Sequence, residues 1–251
     1  MRPNILTDAE LRAHWFRTRE TTFSAAPGVM LTPAARDFLK EHNITLVYED
    51  AAGGSMSVRP IPFRDGKPVF VDASTGAELP EKPEELTHLR DNLLVPKTHP
   101  RIAFRGQLDA LQADIIALQV LAEKDCPSMG QDLEELLACC RELLKAEVTE
   151  QPMPQLRLLG MDSDQLRRCS HRPKEFLGID HPIPSRRQGI LCAELNRLRT
   201  RVREAELSAA RAFTKPEGGF ARVDIIEGLN RLSSAVYIIF CRKLSGRYAN
   251  R

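Results

Sequence analysis

Arg199 and Arg203 stand four residues apart in NRLRTRVREAELSAARAF, residues 196–213. On a helix that spacing projects two guanidinium groups from one side, where together they can grip an anion. Glu206 follows three residues later and is placed to hold Arg203. Asn230, within GLNRLSSAVY (228–237), offers both donors and acceptors, as nucleotide recognition requires. Lys97, within LVPKTHPRIAFRGQLDAL (94–111), precedes a helix start, where a lysine and free backbone N–H groups can meet phosphates. Asp109, in the same stretch, can offset the charge of Arg199 within a subunit or across an interface. Each has a plainer reading: a surface salt-bridge ladder for the helix charges, a packing hydrogen bond for Asn230, and a chance match for the isolated lysine.

The elements that must position these residues separate the two readings. On a wheel of about 100° per residue, Leu191, Leu195, Leu198, Val202, Ala205, Ala209 and Ala212 form one apolar stripe. Arg199 and Glu206 fall roughly 40–60° from its centre, with Arg203 just outside, whereas Arg197, Arg201, Glu204 and Arg211 point to water. Charges on the edge of a buried stripe are costly unless paired or bound to a ligand. Helices are expected at 102–124, 130–147, 162–177, 187–213 and 221–244, broken by DCPSMG, TEQPMP, GIDHPIPS and TKPEGG. Five helices with short connections imply a compact bundle. In the last, Ile225, Ile226, Leu229, Leu232, Val236, Ile239 and Phe240 share a broad face while Ile238 points the other way, so that a second cover, such as a partner subunit, is expected.

Residues 1–100 differ in kind, holding ten of the seventeen prolines and short mixed elements. Short helices are expected at 5–16 and 32–42, the second capped by Thr32 with Pro33 at its first position. ITLVYE (44–49) and PVFVD (68–72) read as strands. The fold class is therefore mainly α, with an α+β region over 1–86 and the bundle over 87–251. A net charge of +2, with three tyrosines and one tryptophan, argues against a nucleic-acid binder. The N-terminus lacks the apolar core of a signal peptide and no apolar run approaches membrane length, which points to the cytoplasm. Six cysteines without a C-x-x-C pair read as buried small hydrophobes.

Three of these stretches, VPKTHPRIAFRGQLDAL, RTRVREAE and LNRLSS, occur in an order that resembles the ATP:cobalamin adenosyltransferases of the propanediol-utilisation type, over about 87–244. That family's N-terminal phosphate loop, T-x-x-G-D-x-G-x-T, is missing. ILTDAELR, LTPAARDFLKEHNITLVYED and KPEELTHLRDNLLVPK stand instead, and resemble the ethanolamine-utilisation branch over nearly the whole chain. Some members of that branch carry an H-x11-C-C-x-x-C metal site. Here Cys139–Cys140 is followed by Leu143 in place of the third cysteine, with Pro127 in place of the histidine, so the resemblance is to the variant without that site.

The resemblance implies a reaction in which cob(I)alamin attacks the 5′ carbon of ATP and expels triphosphate, with Mg²⁺ accompanying the nucleotide. It implies that Arg203 contacts the triphosphate, Arg199 pairs with Asp109, Glu206 braces Arg203, Asn230 binds the nucleotide and Lys97 meets phosphate. Thr87, Arg90 and Asn92 in THLRDN are candidates to replace the missing loop. Relatives displace the lower cobalt ligand with an aromatic from an F-x-L-P-like loop; here FLGIDHPIPS offers Phe176 or Ile183 for that role, or His181 against the corrin. A homo-oligomer with sites between subunits is implied, with a flavin-dependent reductase and ethanolamine ammonia-lyase as candidate partners and a bacterial microcompartment as a candidate location. The competing reading is a non-catalytic bundle that senses ATP or cobalamin, or acts as a scaffold.

Overall fold

The computed structural model describes residues 5–18, 21–25, 30–49, 55–57, 63–64 and 67–248. The chain divides into two compact units, one of residues 1–83 with 91–94, the other of 84–90 with 95–251.

The first unit opens with β1 (Ile5–Leu6) and α1 (Asp8–Thr18), the short helix expected at 5–16 starting three residues later. β2 (Thr22–Ala25), β3 (Met30–Leu31), α2 (Pro33–Glu41), β4 (Thr45–Glu49) and β5 (Ser55–Ser57) follow. Thr32 caps α2 as expected, its hydroxyl accepting the Ala35 N–H at 3.2 Å. β4 runs parallel to β2 and antiparallel to β5, while β1 pairs with β3. Leu6, Leu11, Ala35, Phe38 and Ile44 are buried together between these elements. β6 (Phe63–Arg64) and β7 (Lys67–Pro68) form a hairpin, and β8 (Phe70–Asp72) pairs with β9 (Glu78–Leu79).

The second unit carries β10 (Leu86–Arg90), the end of β11 (Leu93–Pro96), and the helices. These are α3 (Pro100–Asp125), α4 (Gly130–Val148), α5 (Ser163–His171), α6 (Pro173–Leu177), α7 (Ile190–Phe213) and α8 (Val223–Leu244). A short hairpin, β12 (Arg157–Leu158) and β13 (Met161–Asp162), precedes α5, which opens on a capping box of Asp162 and Gln165.

Three expectations are corrected here. The helix expected over 162–177 is two, because Pro173 has no N–H to continue the ladder and keeps Arg172 out of the helical region, at φ −131° and ψ 57°. The helix expected from 187 starts at Ile190, because Gly189 takes φ 83° and re-aims the chain into the bundle. Ile238 needs no partner subunit: it is fully buried within this chain, where α8 packs against α4, α5 and α7.

One ion network fixes the start of α3 against the end of α4. Glu147 is fully buried and accepts Arg101 Nε at 2.6 Å and Arg105 Nε. Arg101 also reaches Glu150 at 2.7 Å, and Arg105 donates to the carbonyls of His88 and Leu89 in β10. A carboxylate so buried is tolerable only with this many charge-assisted bonds around it. Phe104 packs edge-on against Phe213, and Asp114 reaches Arg197 and Arg201 at 3.2 and 3.4 Å. These contacts set α3 antiparallel to α7.

Candidate functional site

The apolar stripe of α7 is buried as its periodicity requires: Leu191, Leu195, Leu198, Val202, Ala205 and Ala209 are all core. α7 therefore has two flanks. Arg197 and Arg201 face α3 through Asp114. Arg199, Arg203 and Glu206 lie on the other flank, toward α8.

Between α7, α8 and the loop after α6 lies a cavity of about 540 Å³. That is the size range of pockets that hold a nucleotide-sized molecule. Arg199, Arg203 and Glu206 line it from α7, and Asn230 and Tyr237 from α8. His181, Pro182 and Pro184 close one side. Two arginines against one carboxylate leave the wall positively charged, which suits an anion.

Hydrogen bonds order this wall. Asn230 Nδ2 donates to Glu206 Oε1 at 3.2 Å, so Glu206 is tied to α8 rather than to Arg203. That corrects the expected brace: α8 presents Asn230 directly opposite Glu206, and a cross-helix partner takes the carboxylate. Arg203 stays exposed at the cavity edge, and Arg199 Nη2 donates weakly to Asn196 Oδ1 at 3.4 Å.

His181 is bound at both ring nitrogens, with Nε2 3.2 Å from the carbonyl of His171 and Nδ1 2.8 Å from the hydroxyl of Tyr237. A carbonyl only accepts, so Nε2 is the donor to His171, while Nδ1 faces the Tyr237 hydroxyl. Burial pushes the Tyr237 phenol up, which keeps it a donor. The imidazole thus pins the loop, and neither nitrogen is free to ligate a metal.

The other expected residues lie elsewhere. Lys97 Nζ pairs with Glu84 at 2.6 Å, Arg90 pairs with Glu150, and Asn92 Nδ2 donates to the carbonyl of Val69 at 3.0 Å. Thr87 is half-buried on β10. Lys97, Thr87 and Arg90 sit toward the Phe213 end of α7, and the ten residues from Arg203 to Phe213 span about 15 Å of helix. Asp109 is exposed on α3 and forms no pair with Arg199 of its own chain. Phe176 is 40% exposed on α6, with its carbonyl accepting from Arg247, and does not line the cavity. Ile183, between the two lining prolines, is 85% exposed.

Asn196, His171, Ser233, Ser234 and Tyr237 line the cavity without having been singled out from sequence as ligand contacts. Helical spacing carried the signal for three of them, since 233, 234 and 237 follow Asn230 at three, four and seven residues. Among the described residues no group of three side chains is arranged to hold a metal ion. Cys139 and Cys140 are buried in the core, and burial pushes the Cys139 thiol up to about 12. No helix among the described residues is long and apolar enough to cross a membrane.

Comparison with known proteins bears on the same residues. Residues 80–243 match the family model described as cobalamin adenosyltransferase. The chain is 31% identical over 246 residues to the corrinoid adenosyltransferase EutT of Salmonella typhimurium strain LT2, an alignment that covers 94% of this chain and 91% of that protein. EutT of Escherichia coli strain K12 is similar to the same extent, 31% over 246 residues. No solved structure matches. The matched segment contains every charged and polar group of the cavity wall, and the chain belongs to the cobalamin adenosyltransferase family.

Proposed function

We propose that this protein transfers the 5′-deoxyadenosyl group of ATP to cob(I)alamin, giving adenosylcobalamin and triphosphate. The observation that carries this reading is the convergence of Arg199, Arg203, Glu206 and Asn230 on one positively charged cavity. In the reaction the cobalt–carbon bond forms with the electron pair of cob(I)alamin while the C5′–O bond breaks and triphosphate leaves with that bond's pair. The nucleophile is strong enough to need no general base. The protein's share is positioning and the stabilising of charge on the leaving group. Arg203, exposed and without an ion-pair partner among the described residues, is the group for the triphosphate. Asn230 holds the nucleotide.

Mg²⁺ fits this wall. It asks for hard oxygen ligands and commonly takes one or two carboxylates with substrate phosphates. Glu206 supplies the one carboxylate of the cavity wall, and the triphosphate supplies the rest. When bound, the ion would neutralise phosphate charge.

The complete site is proposed to lie between subunits of a homo-oligomer. Asp109 shares an exposed face of α3 with Ile116 and Val120, which are 46% and 66% exposed, and such a face suits a second copy. Across that seam Asp109 would meet Arg199, and Lys97, Thr87 and Arg90 would approach the phosphates from the second subunit. Ile183, and less favourably Phe176, is the apolar candidate to cover the lower face of the corrin, with His181 holding their loop. The likeness to EutT supports the ethanolamine-utilisation setting, with ethanolamine ammonia-lyase as consumer of the product, a flavin-dependent reductase as supplier of the reduced corrinoid, and a microcompartment as the location.

Mixing the protein with ATP, Mg²⁺ and chemically reduced cobalamin tests the reading by visible spectroscopy. The adenosylcobalamin bands should appear at a rate proportional to protein. Binding of ATP or cobalamin without conversion would overturn the enzyme assignment in favour of a sensor.

A further inference from the structure

Asn230 is useful to a ligand only if its amide faces the right way, since one end donates and the other accepts. The two ends are held by different neighbours. Nδ2 gives one proton to Glu206 Oε1 at 3.2 Å, while Oδ1 accepts from Arg231 Nη1 at 2.7 Å. A guanidinium has donors only and an ionised carboxylate has acceptors only, so both neighbours dictate the same orientation. The shorter, charge-assisted contact is the one from Arg231.

Arg231 is itself held. Its Nε donates to Ser163 Oγ at 2.9 Å, and that hydroxyl in turn donates to Glu227 Oε1 at 2.7 Å. Ser163 is the first residue of α5, whose start is fixed by the Asp162–Gln165 capping box. A chain of directed hydrogen bonds thus runs from the start of α5 through Arg231 to the amide on the cavity wall. Arg231 does not line the cavity, whereas Asn230 and Glu206 do.

From this geometry we infer that Arg231 is a positioning residue for the nucleotide site: it locks the Asn230 amide so that the second Nδ2 proton and the free Oδ1 lone pair face the ligand. The inference rests on the reading of Asn230 as a nucleotide contact. Without Arg231 only the longer Glu206 contact orients the amide, the reverse orientation becomes more populated, and the apparent dissociation constant rises by the reciprocal of the productive fraction.

The test is a double-variant cycle read with ATP·Mg²⁺, by equilibrium binding and by kcat and KM. Arg231→Gln keeps a polar group of similar reach but can present either end to the amide, and it should weaken ATP binding about two- to fourfold, the reciprocal of the fraction of amide left in the productive orientation. The effect should fall on KM far more than on kcat. Arg231→Lys, still donor-only, should recover most of the affinity. In an Asn230→Ala background, Arg231→Gln should change affinity less than twofold. An undiminished effect in that background, or failure of lysine to rescue, would assign Arg231 a merely structural role and overturn the inference. If Asn230→Ala alone left ATP binding unchanged, the nucleotide reading itself would fall. If it weakened binding while Arg231→Gln did not, only the present inference would. Thermal unfolding of each variant guards against loss of the fold.

Discussion

At the residue scale, the charges beside the α7 stripe divide by what compensates them. Arg197 and Arg201 have Asp114, and Glu206 has Asn230. Arg203 has no ion-pair partner among the described residues and borders the cavity. A charge placed beside a buried stripe without a partner is a charge kept for a ligand. Arg203→Ala should therefore leave the melting temperature within a few degrees of the parent while lowering kcat for adenosylcobalamin formation about 100-fold or more, the usual cost of removing one donor to a developing anion. Near-parental turnover in the variant would remove Arg203 from the triphosphate. Arg199 differs in being half-buried, with a long bond to Asn196, and in the proposed homo-oligomer it is the residue that pairs with Asp109 of a second copy.

At the scale of elements, the cavity depends on α8 entering the bundle at a fixed angle, and one cluster sets that entry. Arg222 grips Asp224 through Nε and Nη2 at 3.0 and 2.8 Å, and donates as well to the carbonyls of Ala146 and Gln151. Asp224 also accepts the Met153 N–H at 3.0 Å. The Arg222 hydrogen bonds hold the Asp224 carboxyl down at about 2. The folded value is depressed, so the stabilisation is fully present above the unfolded value of about 3.9 and is lost as pH falls toward 2. With the side chain 31% exposed, it amounts to about 1–2 kcal/mol after screening. Asp224→Asn should cost that much in urea unfolding at pH 7. It should also flatten the acid limb of the stability profile between about pH 4 and pH 2. An unchanged acid limb would show that the cluster does not set the entry of α8.

At the scale of the whole molecule, one chain presents two separated groups of phosphate-suited residues. The cavity holds Arg199, Arg203, Glu206 and Asn230. Lys97, Thr87 and Arg90 sit at the other end of α7 from the cavity loop, and Asp109 looks outward from α3. In the proposed homo-oligomer, a copy seated on the Ile116–Val120 face is what would bring the two groups together. Asp109→Asn should then weaken ATP binding several-fold and shift the assembly toward smaller species in light scattering, as loss of one desolvated interfacial charge pair does. Unchanged affinity together with unchanged mass would sink the pairing with Arg199.

The sequence by itself determined the bundle and the chemistry on its inner edges. The 3.6-residue repeat of apolar side chains marks α3, α4, α7 and α8, because only burial of one continuous face makes such helices stable. The same repeat put Arg199 and Glu206 at the edge of the α7 face, and the ordered motifs named the family. Only the tertiary structure decided who answers whom. Glu206 belongs to Asn230 and not to Arg203, Asp114 takes the outer arginines, and Ile238 is covered by the chain's own helices. Arg101 and Arg105 close on Glu147 across more than forty residues of chain. A helical wheel fixes the direction in which a side chain leaves its own helix. The partner it meets depends on how neighbouring helices pack and cross, which is set by the shape of the whole core and not by any single helix.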